Sequence, residues 1–238
     1  MGKPDEPLRI DLPYSRSTAM DQAFSVIEQC DASRIKSLII QQDKYDRYED
    51  LFSDSRLVII PETISRLVAL ETITITACIT ELPVALTKLN NLKLLDLTGC
   101  YNLLSVPDEI VEMKDLKIKI GDTISRASEI LFINVPLTRI TPEVFSKITT
   151  AKEKKIEQLI IRHIPSTEYR RQHEFAVPDE IKDFHELKML CITGTISSVP
   201  SWIGNMSALC SLTVTDSELL QSLPSSIGNL YPHITQFE

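Results

Sequence analysis

Seven prolines set a register along this chain. After Pro61, Pro83, Pro107, Pro142, Pro178, Pro200 and Pro224, apolar residues follow at the third and sixth positions, and the prolines stand 22, 24, 35, 36, 22 and 24 residues apart. Leu86, Leu89, Leu92, Leu95 and Leu97 follow Pro83 at the same offsets at which Ile203, Met206, Leu209, Leu212 and Val214 follow Pro200. A short unit of this kind cannot bury its apolar residues alone, so the chain has to stack its coils against one another. With 238 residues, 43% of them hydrophobic, there is enough apolar matter for one continuous core, and a single elongated domain is expected.

Each coil carries a short alternating segment that reads as a half-buried strand: 36–41, 72–76, 94–98, 130–134, 158–162, 189–193 and 211–215. Stacking lines these into one parallel sheet. The segments opened by proline keep a period of three to four and read as short helices on the opposite side. Met20, Phe24 and Ile27 are spaced as an amphipathic helix over 18–31, which would cover the first coil. The organisation is therefore an N-terminal segment with capping helix over 1–34 and a solenoid over 35–238, with insertions near 43–55, 118–129 and 165–176. The last residues, 231–238, are too few for a polar cap. Cys78 and Cys100 lie three residues past the last inward strand positions, Ile75 and Leu97, where a small side chain packs against loop backbone; Thr195 and Ser217 hold the same place in later coils.

The proline register and the stretch Leu92-Lys93-Leu94-Leu95-Asp96-Leu97-Thr98-Gly99-Cys100, ending in Val106-Pro107, resemble the short LxxLP class of leucine-rich repeats. That class is found in Ras-suppressor-like proteins, plant intracellular immune receptors and bacterial effectors. The resemblance covers about residues 35–234. It implies an α/β fold, a right-handed solenoid of about seven repeats with a parallel concave sheet and short convex helices, and it implies protein binding through the concave face. Small proteins of this look also occur among effectors that intracellular bacterial pathogens deliver into host cells.

A net charge of −8 lacks the basic footprint that nucleic acid demands. No apolar run approaches the ~18 residues that span a bilayer, and the N-terminal residues lack the apolar core of a signal peptide. Five cysteines without close spacings suit a reducing compartment, so a cytoplasmic location, or delivery into a host cytosol without an N-terminal signal peptide, is expected. The basic run at 152–155 reads as a solvated face.

Side chains alternate across a strand, so the residues flanking the inward Leu and Ile positions should project from the concave surface. Leu94, Ile130, Phe132, Ile160 and Met189 would form an apolar patch there, bordered by Asp96, Asn134, Gln158, Arg162 and Cys191, with Tyr169 and Arg170 of an insertion on the rim. An apolar centre with an aromatic anchor and a polar border is the anatomy of a protein interface. A cover formed by the protein's own loops is the competing expectation for this patch.

The four histidines, His163, His173, His185 and His233, give no dyad with Cys191: His185 belongs to the convex side, and the others reach the thiol only by a loop fold-back. The repeated Val-Pro-Asp-Glu-Ile at 106–110 and 177–181 places acids in first helical turns, where unpaired N–H groups favour them. With no CxxC, GxxxxGK[ST], GxGxxG, GxSxG or HExxH, neither a catalytic residue, a metal nor a cofactor is expected, and no small-molecule substrate. The expected function is a non-enzymatic module that binds, and by binding masks or inhibits, a protein partner in a heteromeric complex. The alternative is an adaptor or effector that brings a target to a catalytic domain or enzyme outside this chain.

Overall fold

The computed structural model describes residues 6–13, 18–42, 57–100, 102–136, 141–164, 174–215, 217–231 and 236–237. The expected single domain is two compact units, Met1–Ala127 and Ser128–Glu238.

In the first unit, strands β1 (Leu8–Leu12), β2 (Ser37–Gln42), β3 (Thr72–Thr76), β4 (Leu94–Asp96) and β5 (Lys117–Ile120) run parallel, and β6 (Thr123–Arg126) closes the sheet antiparallel to β5. Helices α1 (Thr18–Phe24) and α2 (Val26–Gln29) come between β1 and β2, and the single turn α3 (Asp108–Val111) comes before β5. Register follows the apolar alternation: Leu38, Ile73, Leu95 and Ile118 are lateral neighbours, and all four are fully buried. Ile10, Ile40 and Ile75 form a second such row. Because a one-residue slip would turn every one of these side chains to the other face, burial fixes the pairing. The proline before each 3₁₀ turn, Pro61 before Glu62–Arg66 and Pro83 before Val84–Lys88, holds the extended backbone from which the turn starts.

The second unit repeats the plan with β7 (Ile130–Pro136), β8 (Gln158–Ile164), β9 (Met189–Thr193), β10 (Ser211–Thr215) and β11 (Gln236–Phe237), all parallel. Its core holds Leu131, Ile133, Leu159, Ile161, Leu190, Ile192 and Leu212 from the strands, closed by residues of the intervening turns such as Ile181 and Ile203. Between β7 and β8 lies the ten-residue helix α4 (Pro142–Ala151). Thr141 caps it by accepting from the Val144 amide, Pro142 suits the first turn, and Ile148 and Ala151 face the core. The basic run after it is a solvated face, as expected, and it carries surface ion pairs. Lys152 pairs with Asp183 at 2.6 Å, while Lys155 reaches Glu157 at 2.7 Å and Glu186 at 3.4 Å.

All seven expected strands are present, but others stand beside them. β1 precedes α1 and α2, so the first sheet ends in a strand and the expected cap does not lie outside it. β11 adds to β10 from the final residues. The supposed insertion at 118–129 contains the β5–β6 hairpin, turned at Gly121, whose φ of 58° is the left-handed backbone that glycine tolerates. Ile118 escaped the proline register because it falls one residue earlier after Pro107 than Leu95 does after Pro83. Residues 43–55 and 165–173 lie outside the described residues.

The expected packing of the small residues after the strands is observed. Cys100 is buried and its thiol donates to the Ile75 carbonyl at 3.2 Å, and the Ser217 hydroxyl donates to the Gly194 carbonyl at 2.6 Å.

Neighbouring coils pack tightly at Gly204, where an added Cβ would strike the Ser226 carbonyl; the matching Gly228 has open space around it. Gly204→Ala should therefore destabilise the protein by about 1–3 kcal/mol, the usual cost of overpacking. Gly228→Ala should stay within about 0.5 kcal/mol of the parent. Equilibrium urea unfolding of both variants checks this, and equal midpoints would remove the close-contact account.

Candidate functional site

The side chains that point away from each core differ between the two sheets. In the first unit this face carries Arg9, Ile39, Thr74, Asp96 and Lys119 in one lateral row. Ser37, Thr72, Leu94 and Lys117 form the neighbouring row, with Asp11, Gln41, Thr76 and Thr98 beyond. Every one of these side chains is at least partly exposed. The alternating sequence Thr-Ile-Thr-Ile-Thr of β3 is the local cause: isoleucines enter the core and threonines stay outside.

The β5–β6 hairpin extends this face. Lys119 lies opposite Ile124, and Lys117 opposite Arg126; directly opposed residues share a side of an antiparallel pair. Ile124 is 50% exposed although it is a large aliphatic side chain. Lys119 Nζ reaches Asp96 Oδ2 at 3.1 Å, and the other carboxylate oxygen accepts from the Thr98 hydroxyl at 2.6 Å and the Thr98 amide at 3.0 Å. Burial by itself raises the Asp96 carboxyl, but the Thr98 bonds and the Lys119 ammonium together outweigh it and hold the group below its ordinary value. Ile39 and Leu94 supply further half-buried apolar surface.

The second sheet contradicts the expected apolar patch. Phe132 is 6% exposed and Ile160 1%, and Ile130 and Met189 are equally withdrawn. Yet their neighbours Leu131, Ile133, Leu159 and Leu190 belong to the core, so both faces of β7 and β8 are covered. The reason is written in the strands themselves: Ile-Leu-Phe-Ile and Leu-Ile-Ile are continuous apolar runs, the pattern of two-sided burial. Gln158 is fully buried, and Asn134 and Arg162 are half-buried, with Asn134 Oδ1 lacking a hydrogen-bond donor among the described residues. Cys191 is half-buried with its sulfur 4.0 Å from the Thr193 hydroxyl. Tyr169 and Arg170 lie outside the described residues. Of the twelve residues singled out by sequence, Leu94 and Asp96 occupy the open face of the first unit.

The sequence reading missed Lys117, Lys119, Ile124 and Arg126. The signal for the two lysines was the alternation Leu116, Ile118, Ile120 with lysines between; Ile124 and Arg126 follow only once 123–126 is paired back on it. Among the described residues, no three His, Cys, Asp or Glu side chains gather where a metal ion could be held, and no helix is long and apolar enough to cross a membrane.

No protein-family model matches the chain, and no curated protein does. Among solved structures it is similar to the leucine-rich repeat domain of the type III effector XopL, at 14% identity over 97% of this chain and 75% of that one, TM-score 0.36. A leucine-rich repeat protein of Leptospira interrogans matches at 15% identity over 99% of this chain and 84% of that one, TM-score 0.28. An internalin of Listeria monocytogenes, inlF, matches at 11% identity over 87% and 68%, TM-score 0.34. Likenesses this distant assign no partner or activity.

The Asp96 geometry has a pH signature. Its folded value is lowered, so its contribution to stability is complete above the ordinary carboxylate range and is lost as pH falls through the lower folded value. Unfolding midpoints of the parent and of Asp96→Asn should differ at neutral pH and converge in strong acid. A constant difference down to the lowest pH would exclude the Asp96–Lys119 pair as a stabilising contact.

Proposed function

We propose that this chain is a protein-recognition module, without chemistry of its own, that binds a protein partner across the open sheet face of the first unit. The single observation that carries the reading is Ile124, half exposed on the same face as Leu94 and the Asp96–Lys119 pair. Exposed apolar groups set among threonines and a fixed ion pair are what a protein interface uses: the apolar atoms supply affinity and the charges set orientation. A broad sheet face opposes an equally broad surface, so binding here would mask part of the partner. Five free thiols suit a reducing compartment, in keeping with work in a cytosol, either the cell's own or a host's.

To test it, the immobilised chain and its Leu94→Asp/Ile124→Asp variant are compared in affinity capture from lysate with quantitative mass spectrometry. The variant should lose at least about tenfold of the specifically retained protein, the loss expected when central interface residues are replaced, with its thermal melt unchanged. Full retention by a folded variant would remove this face as the binding surface.

A further inference from the structure

We infer a second docking groove, on the side of the second unit opposite its sheet, that takes an extended segment of a partner carrying apolar side chains flanked by lysine or arginine. The groove lies between the start of α4 and the segment that leads into the 3₁₀ turn Asp179–Asp183. It is a shallow depression, largely open to solvent, that suits an extended segment lying across it better than an enclosed small molecule. Pro142 and Phe145 of α4, the buried Val177 and Pro178, and Asp179 and Glu180 line it.

Three features make it a formed site. The walls are tied together beyond the groove by the Lys152–Asp183 ion pair at 2.6 Å, and α4 is anchored by Ile148 and Ala151 in the core. Asp179 is held in place because the Trp202 indole N–H donates to its Oδ1 at 2.8 Å. Against this fixed frame Phe145 leaves 47% of its surface exposed, so an aromatic side chain faces the groove without a partner to bury it.

The charge chooses the occupant. Asp179 and Glu180 meet no cation among the described residues, and the chain as a whole carries a net charge of −8. A basic segment would be steered toward this rim, and an apolar side chain of the same segment would cover Phe145 and Val177. An acidic segment would meet two like-charged carboxylates.

The whole chain is titrated with a fluorescein-labelled peptide of alternating leucine and arginine, and with its leucine–glutamate counterpart, by fluorescence anisotropy. The arginine peptide should bind and the glutamate peptide should not. Trp202 is the sole tryptophan, so its emission should change during the arginine titration. Phe145→Ala should weaken binding about tenfold or more, as removal of a central aromatic anchor does. Asp179→Asn/Glu180→Gln should weaken it and flatten its salt dependence, while the amide oxygen placed at position 179 still accepts from the Trp202 indole. Leu94→Asp/Ile124→Asp should bind the peptide like the parent, which keeps this groove distinct from the sheet-face reading. Equal binding of both peptides, binding of neither, or full binding by folded Phe145→Ala would overturn the proposal.

Discussion

The lateral rows of Leu and Ile on the inward side of the strands carry this structure. Leu38, Ile73, Leu95 and Ile118 in the first unit, and Leu131, Leu159, Leu190 and Leu212 in the second, are each buried against neighbouring coils. Full burial of such a side chain is worth about 1.5–3 kcal/mol. A coil alone could not collect that energy, so each one is stable only through its neighbours. The demand for contact also explains the small residues: Cys100 fits under the Ile75 carbonyl, and Gly99 and Gly204 stand where a Cβ would strike the adjacent coil.

Once the inward rows are fixed, the opposite rows decide what the protein shows to others. In β3 and β10 the sequence alternates strictly, Thr-Ile-Thr-Ile-Thr and Ser-Leu-Thr-Val-Thr, so the outward rows are polar and at least partly open in their central positions. In β7 and β8 alternation gives way to continuous apolar runs, and both rows are covered. The open surface therefore belongs to the strands with ordinary alternation, where Leu94, Ile39 and Ile124 interrupt a threonine-rich field organised around Asp96 and Lys119.

Much of the fold was legible because spacing and alternation are physical requirements of stacking. The seven segments read as alternating strands are strands, and lateral neighbours such as Thr72–Leu94 and Phe132–Ile160 are as that reading implies. Strand β5 was hidden by a one-residue shortening before Ile118, and β1 by having no proline turn to announce it; β11 follows Pro224 and its 3₁₀ turn, but the closing residues were read only as too few for a polar cap. The site was less legible. A register says which residues leave the core but not whether something covers them, and here the cue lay in composition: Phe132 sits in an unbroken apolar run, Thr74 in an alternating one. The hairpin residues Lys119 and Ile124 were passed over because their segment was read as an insertion.

The outward row is open on β3–β6 and closed at Ile130 and Phe132 of β7, Ile160 of β8 and Met189 of β9. Hydroxyl-radical footprinting of the intact chain, read residue by residue by mass spectrometry, measures this directly. Ile124 should label strongly and Leu94 measurably, with Phe132, Ile160 and Met189 protected until the chain unfolds. Methionine and phenylalanine are intrinsically among the more reactive side chains, so labelling of Met189 and Phe132 at the rates of exposed residues in the native protein would contradict it.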